Sequence, residues 1–282
     1  KIGVILAIAA VPEALPAVAT ITLAIGMKTM AKHNALVKSL PAVETLGSTT
    51  VICTDKTGTL TENQMMVKEI HLISGEKYRV EGSGYVPEGN ILKDDSEVDL
   101  SEASSLKHLI EAAVLSSNAT LTEENDQYKV IGDPTEGGIV VLGKKVSIER
   151  KNMEEDGYNR IGEIPFNSKD KFMATAYDIK EQGKMVFIKG APDTLIEMAM
   201  EDNQSQEDLH QINDQLAEQG MRVLAIAQVD GYEGDGSEES IQKAIKNGVK
   251  LLGFTGIFDP PRDDVKQVIN EARQAGVRVI MI

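Results

Sequence analysis

The sequence predicts an α/β protein with an apolar helix in front of it, and three features point there. A short β-branched run, Thr50-Val-Ile-Cys53, delivers Asp55 to its carboxyl end, the usual address of a functional group in an open α/β sheet. Strand-period and helix-period segments then alternate with glycine-bearing breaks across residues 65–250. Last, residues 251–282 read as strand, helix and strand, a β-α-β unit. With 282 residues, 41% hydrophobic and 26% charged, the chain can bury one or two cores. A formal charge of -15 argues against a broad nucleic-acid face, while leaving room for a nucleotide in a local basic pocket. The one cysteine, Cys53, excludes an intrachain disulfide and a cysteine-rich metal site.

Residues 2–27 carry a single formal charge, Glu13. At about 1.5 Å per helical residue the run reaches across roughly 30 Å of hydrocarbon, so residues 1–30 read as a transmembrane helix. Pro12 and Pro16 remove backbone donors on either side of Glu13 and break that helix over 12–16. Lys28, Lys32 and Lys38 form a basic flank that places the chain after about residue 30 in the cytoplasm. The absence of an initiator methionine and of a cleavage site reads as an internal excerpt, with the chain continuing beyond its last strand.

The cytoplasmic part divides into 31–64, 65–250 and 251–282. The first piece holds helical spacing in part of 26–46, stopped at Gly47, and the strand before Asp55. The middle piece holds hairpin strands at 66–72 and 77–81, a helix over 100–115, a capped helix start at Asp133-Pro-Thr-Glu136 continuing through 142, and strands at 158–164, 172–178 and 185–189. A helix over 192–200, a polar break, an amphipathic segment at 209–218 and a strand at 223–229 follow, leading into an acidic, glycine-rich loop at 230–239 that is expected to be solvent-exposed and remote from chemistry. The last piece opens with the strand at 251–258, assigned with the strand of Asp55 to one sheet.

Asp55-Lys-Thr-Gly-Thr-Leu-Thr61 is the strongest chemical signal. A carboxylate at a strand end is ionised at neutral pH and can take a phosphoryl group as an acyl phosphate. Gly58 permits a tight turn, Lys56 and the turn amides offset phosphoryl charge, and Mg²⁺ would bridge carboxylate and phosphate. Read alone, the string also fits a surface turn, the less favoured of the two readings. Gly138-Ile-Val-Val-Leu-Gly-Lys-Lys145 nearly spells a P-loop, yet lysine stands where a hydroxyl should bind Mg²⁺ and the interior lacks glycine. Asn118-Ala-Thr120 and Asn203-Gln-Ser205 match glycosylation triplets that a cytosolic domain would leave unmodified.

The string at 55–61 resembles that of P-type ATPases, and the stretch 39–65 resembles the cation-pumping branch, especially bacterial calcium pumps. The resemblance recurs in order at Pro12-Glu-Ala-Leu-Pro16, Asp133-Pro-Thr-Glu-Gly137, Pro165-Phe-Asn-Ser168 with Lys171, Lys189-Gly-Ala-Pro-Asp193, Arg222-Val-Leu-Ala225 and Asp259-Pro-Pro-Arg262. It implies an incomplete haloacid-dehalogenase-like phosphorylation domain, with a mixed α/β nucleotide-binding domain inserted at 65–250 and one transmembrane helix before it. It implies phosphorylation at Asp55 with Lys56 beside it, Mg²⁺ held by Asp55 and the Thr57 backbone carbonyl, and Glu13 as a ligand of the transported cation, calcium by likeness. Within the insert, Phe166 would stack on adenine, Lys171 and Lys189 would lie close to it, Glu136 would bond the purine edge and Arg222 would reach the phosphates. Without the resemblance, Phe166 reads as core packing. The implied partners are ATP, the cation, the lipid bilayer, and the actuator domain and remaining membrane helices of a multi-pass whole protein, with no nucleic acid. As 282 residues the chain is expected to bind nucleotide without sustained turnover. Two other classes stay open: a soluble phosphatase or phosphotransferase with an aspartate nucleophile, and a nucleotide-binding module without catalysis.

Overall fold

The computed structural model describes residues 14–124, 127–199 and 205–282. The expected break around Glu13 therefore lies outside the described residues apart from its last part. The chain divides into two compact units, one of residues 1–56 with 263–282 and the other of residues 57–262.

The first unit begins with α1 (Ala14–Lys32), long and apolar enough to cross a membrane by length and composition, none of its side chains being buried. The hydroxyls of Thr20, Thr22 and Thr29 each donate to the carbonyl four residues back, which satisfies them without leaving the helix. A turn at Asn34, where φ is 61°, separates α1 from α2 (Leu40–Gly47), so the helical spacing expected over 26–46 is two helices and not one. After α2 comes β1 (Val51–Thr54), paired in parallel with β13 (Arg278–Met281), in register Cys53 against Ile280, while α9 (Val265–Gln274) precedes β13.

The second unit is built on a nine-stranded antiparallel sheet in the order β5-β4-β3-β2-β12-β11-β10-β9-β8. Its strands are β2 (Met66–Leu72), β3 (Lys77–Val80), β4 (Ile91–Lys93), β5 (Ser96–Glu97), β8 (Tyr158–Ile164), β9 (Phe172–Ile179), β10 (Gly183–Gly190), β11 (Arg222–Val229) and β12 (Lys250–Phe258). On one face α3 (Ser104–Leu115) and α4 (Pro134–Lys145) supply Leu106, Leu109, Ile139 and Leu142 to a core with Ile70, Tyr177 and Phe187. On the other face α6 (Pro192–Met198), α7 (Gln206–Glu218) and α8 (Glu238–Lys246) supply Leu195, Leu216 and Ile241 to a second core with Ile188 and Phe254. A separate hairpin, β6 (Thr120–Glu124) and β7 (Gln127–Ile131), and a short helix, α5 (Arg150–Glu155), complete the unit.

Strand β12 corrects the expected architecture. It pairs antiparallel with β2 and β11 inside the large sheet and does not join the strand of Asp55. Leu251 and Phe254 enter one core and Ile257 the other, so β12 is apolar on both faces. Such a strand suits the centre of any sheet, and its sequence does not say which. Its pairing with β2 also brings the two ends of this unit together: Thr61 bridges Pro261 and the Glu62 amide donates to the Pro260 carbonyl.

The loop at 230–239 is likewise less free than expected. Tyr232 and Gly236 are buried, the Gly236 amide donates to the Tyr232 hydroxyl at 3.0 Å, and Gly162 lacks the Cβ that would collide with the Gly236 carbonyl. The loop thereby braces the edge strand β8.

Candidate functional site

In the first unit, Asp55 stands immediately after the carboxyl end of β1 with its side chain exposed, and its Oδ1 accepts the Lys56 amide at 2.7 Å. A carboxylate reachable from solvent on one side and anchored by a main-chain donor on the other is suited to nucleophilic attack. Mg²⁺ takes oxygen ligands and is commonly held by one or two carboxylates with phosphate oxygens and water. Asp55 fits as one such carboxylate, and among the described residues no group of three or more His, Cys, Asp or Glu converges to form a metal cage.

In the second unit, the chain turns at Thr57 (φ -75°, ψ 122°) and Gly58 (φ 76°, ψ -6°). The positive φ at Gly58 is the reason for glycine there. The Gly58 amide donates to Thr61 Oγ1 at 3.0 Å, and that hydroxyl donates to Asp259 Oδ2 at 2.6 Å. Asp259 Oδ1 accepts the Gln64 amide at 3.2 Å, while Arg262 donates to the carbonyls of Thr59 and Gly58 at 3.2 and 3.3 Å. The motif Asp259-Pro-Pro-Arg262 thus holds the threonine turn in shape. Its two charged residues were legible as a motif, but their role was not.

The same unit assembles most of the residues expected to hold nucleotide. Lys189, next to last in β10, is buried at 6% exposure, and its Nζ donates to Glu136 Oε1 at 2.8 Å, to Ser117 Oγ at 3.1 Å and to the Ser116 carbonyl. Met173 Sδ lies 3.0 Å from the same nitrogen. Burial pushes the Lys189 ammonium down to about 8, against the opposing pull of the Glu136 carboxylate. Glu136 sits in the first turn of α4, where Asp133 caps the amides of Thr135 and Glu136. Its second oxygen accepts the amides of Asn118 and Ala119 at 2.8 and 2.9 Å. Both Glu136 oxygens thus already have protein partners. Arg222 opens β11 and donates to Thr135 Oγ1 at 2.8 Å, which brings it to the same end of α4.

Lys171 precedes β9 with φ 57°, its amide donating to the Asn167 carbonyl and its own carbonyl accepting the Ala191 amide. In the β9–β10 ladder Met173 faces Lys189 and Phe172 faces Gly190. A Cβ on Gly190 would lie 2.6 Å from that of Phe172, so the glycine is a packing requirement at the end of the strand and not a turn residue. Phe166, in the connection between β8 and β9, is 63% exposed. It is not a core side chain. An exposed aromatic face on a tied-down connection is available for stacking.

The structure therefore brings Glu136, Lys189 and Arg222 together at the amino end of α4, sets Lys171 against the residue after Gly190, and leaves Phe166 open to solvent. Asn118 and Arg160 adjoin this cluster. Arg160 donates to Asn118 Oδ1 at 2.8 Å and pairs with Glu163, but Asn118 stood out in the sequence only as part of a glycosylation triplet. The near P-loop lies along α4, where Ile139 and Leu142 are core residues, and no phosphate cradle forms there.

The sequence pattern of the P-type ATPase cytoplasmic domain N matches residues 105–264. The chain is 36% identical over 291 residues to the calcium-transporting ATPase of Bacillus subtilis, covering 99% of this chain and 32% of that protein. It is 37% identical over 293 residues to a calcium-transporting ATPase of Listeria monocytogenes, at 99% and 30% coverage. It is 36% identical over 294 residues to the cation-transporting ATPase pma1 of Synechocystis, at 99% and 32%. The chain spans about a third of the length of the curated relatives it matches.

Proposed function

The chain belongs to the P-type cation-transporting ATPases, and from that premise we propose that the whole protein drives a cation, calcium by its likeness to bacterial relatives, across a membrane at the expense of ATP. An Asp55 carboxylate oxygen attacks the γ-phosphorus, the bond from that phosphorus to the bridging oxygen breaks, and ADP leaves with the electron pair. Lys56, next to Asp55, offsets charge on the phosphoryl oxygens. Mg²⁺, with the Asp55 carboxylate and the Thr57 carbonyl as ligands, supplies further charge neutralisation when bound. In the membrane segment, Glu13 between Pro12 and Pro16 is the cation ligand, because a carboxylate in hydrocarbon costs several kcal/mol, roughly, unless an ion or proton satisfies it.

Residues 57–262 hold the nucleotide, with adenine on Phe166, Lys171 and Lys189 beside it, Glu136 next to Lys189, and Arg222 toward the phosphates. The observation that supports this most is the convergence of Lys189, Glu136 and Arg222 at the amino end of α4, with an exposed aromatic ring in the same unit. Since both Glu136 oxygens already accept hydrogen bonds, its part is to orient Lys189 and the segment at Asn118 and Ala119, with any bond to the purine edge added to these.

Stacking on an aromatic side chain contributes about 1 to 3 kcal/mol per base, so Phe166→Ala should weaken ATP binding by about tenfold to a hundredfold. Calorimetric titration of ATP into the wild-type and variant chains measures this; equal affinity would remove Phe166 from the pocket. The depressed Lys189 adds a pH dependence with a definite sign. Its positive charge is present below about pH 8 and is lost as pH rises through that value. Affinity for ATP should therefore fall between pH 7 and 9.5, by about tenfold for the loss of one charge-assisted contact. The same series in Lys189→Met should be flat, and a slope that survives the substitution would assign the dependence to another group.

A further inference from the structure

Arg160 and Glu163 lie three residues apart in β8, a spacing that in a regular strand puts the two side chains on opposite faces of the sheet. The register of β8 against β9 shifts between Arg160 and Gly162, and this bulge turns both to one face: Arg160 pairs with Tyr177 and Glu163 with Thr175, two residues apart on β9. That face looks onto the end of α3, since the hydroxyls of Thr175 and Tyr177 both donate to the Leu115 carbonyl, at 3.2 and 3.1 Å. Just beyond Leu115 the guanidinium meets Asn118. Arg160 Nη1 donates to Asn118 Oδ1 at 2.8 Å, Asn118 Nδ2 donates to Glu163 Oε2 at 3.4 Å, and Arg160 pairs with the same carboxylate. The main-chain amide of Asn118 donates to Glu136 Oε2, while Glu136 Oε1 accepts from Lys189. Arg160, Asn118, Glu136 and Lys189 thus form one hydrogen-bonded chain from the edge strand to the nucleotide residues.

We propose that Arg160 is a positioning residue for nucleotide binding: through the Asn118 side chain it keeps the amides of Asn118 and Ala119 on Glu136, and Glu136 on Lys189. The inference rests on the assignment of the nucleotide to residues 57–262. Two consecutive amides share one Glu136 oxygen, at 2.8 and 2.9 Å, in a stretch where α3 has ended at Leu115 and β6 has not begun until Thr120. Neither element fixes the direction of those amides, and the fork of Arg160 with Glu163 supplies the anchor from outside. Without it Asn118 turns, Glu136 loses donors, and its charge draws the ammonium away from the ligand. Charge acts together with shape. Burial lowers Lys189 first, Glu136 and Asp133 oppose that, and the Arg160 cation adds to the lowering, so removing Arg160 lets Lys189 keep its proton to higher pH.

Calorimetric titration of ATP into the chain tests this with Arg160→Gln, Asn118→Ala, the double variant and Arg160→Lys. Arg160→Gln and Asn118→Ala should each weaken ATP binding about fivefold at pH 7, and the double variant should bind no more weakly than either, because both changes cut the same chain. Arg160→Lys, which keeps the charge and a donor, should bind within about twofold of wild type. The pH above which affinity falls should move upward in Arg160→Gln and stay in place in Asn118→Ala, a split that loosened packing does not produce. Unchanged affinity in Arg160→Gln, losses that multiply in the double variant, or a pH profile that Arg160→Gln does not move would overturn the inference. Weakened binding in Phe166→Ala and Lys189→Met beside an unaffected Arg160→Gln overturns this inference alone, whereas wild-type affinity in Phe166→Ala and Lys189→Met removes the nucleotide assignment and this inference with it.

Discussion

Asp55→Asn in the full-length protein is expected to abolish acid-stable incorporation of the γ-phosphate of ATP, a loss of roughly a thousandfold or more as for other removed nucleophiles. An amide has nearly the shape of a carboxylate, and its oxygen can still accept the Lys56 amide that Asp55 Oδ1 accepts at 2.7 Å. What it lacks is the negative oxygen that can become an acyl phosphate. The substitution therefore separates chemistry from shape. Binding of ATP should survive, because the residues assigned to the nucleotide belong to the unit of residues 57–262. Radiolabelled γ-phosphate trapped in acid, alongside a binding titration, reads both quantities. Labelling that persists in the asparagine variant would move the phosphorylated residue elsewhere.

Lys189→Ala should cost stability as well as affinity. The Lys189 and Glu136 side chains are 7% and 13% exposed, and deleting one member of a buried pair leaves the other uncompensated, at about 3 to 5 kcal/mol. The Ser116 carbonyl and the Ser117 hydroxyl lose the same donor. The double change Lys189→Met with Glu136→Gln should recover part of that loss, about 1 kcal/mol or more, since no unpaired charge remains. Urea unfolding of the variants provides the test. A single-variant cost below about 1 kcal/mol would mean the pair is wetter than its burial implies.

Much of the fold was legible from period and punctuation. Asp133 before Pro134 announces a capped helix and caps one, and the strands around Phe172, Val186 and Val223 fall within a residue or two of their expected limits. Sheet membership was less legible, because β12 is apolar on both faces and pairs with β2, whose residues lie nearly two hundred positions earlier. Helix α8 was obscured by the acidic, glycine-rich loop ahead of it, although Ser237 caps it and Ile241 and Ile245 share its buried face. The hairpin β6–β7 has little burial to impose a period.

At the site, residue types were legible and partnerships were not. Lys189 and Glu136 could each be singled out along the chain, but their ion pair spans 53 positions. That pair arises because Lys189 lies next to the end of β10 while Glu136 lies in the first turn of α4, a juxtaposition set by the packing of α4 against the sheet. Phe166 is ambiguous as a residue type, and its exposure on a connection separates stacking from core packing.

The most direct test of the nucleotide-binding assignment is an amide chemical-shift map of the chain with and without ATP. The account predicts shifts concentrated at Glu136, Phe166, Lys171, Lys189 and Arg222, with Asn118 and Ala119 moving as neighbours of Glu136. Shifts centred instead on Gly143 to Lys145, with Phe166 and Lys189 unmoved, would contradict it.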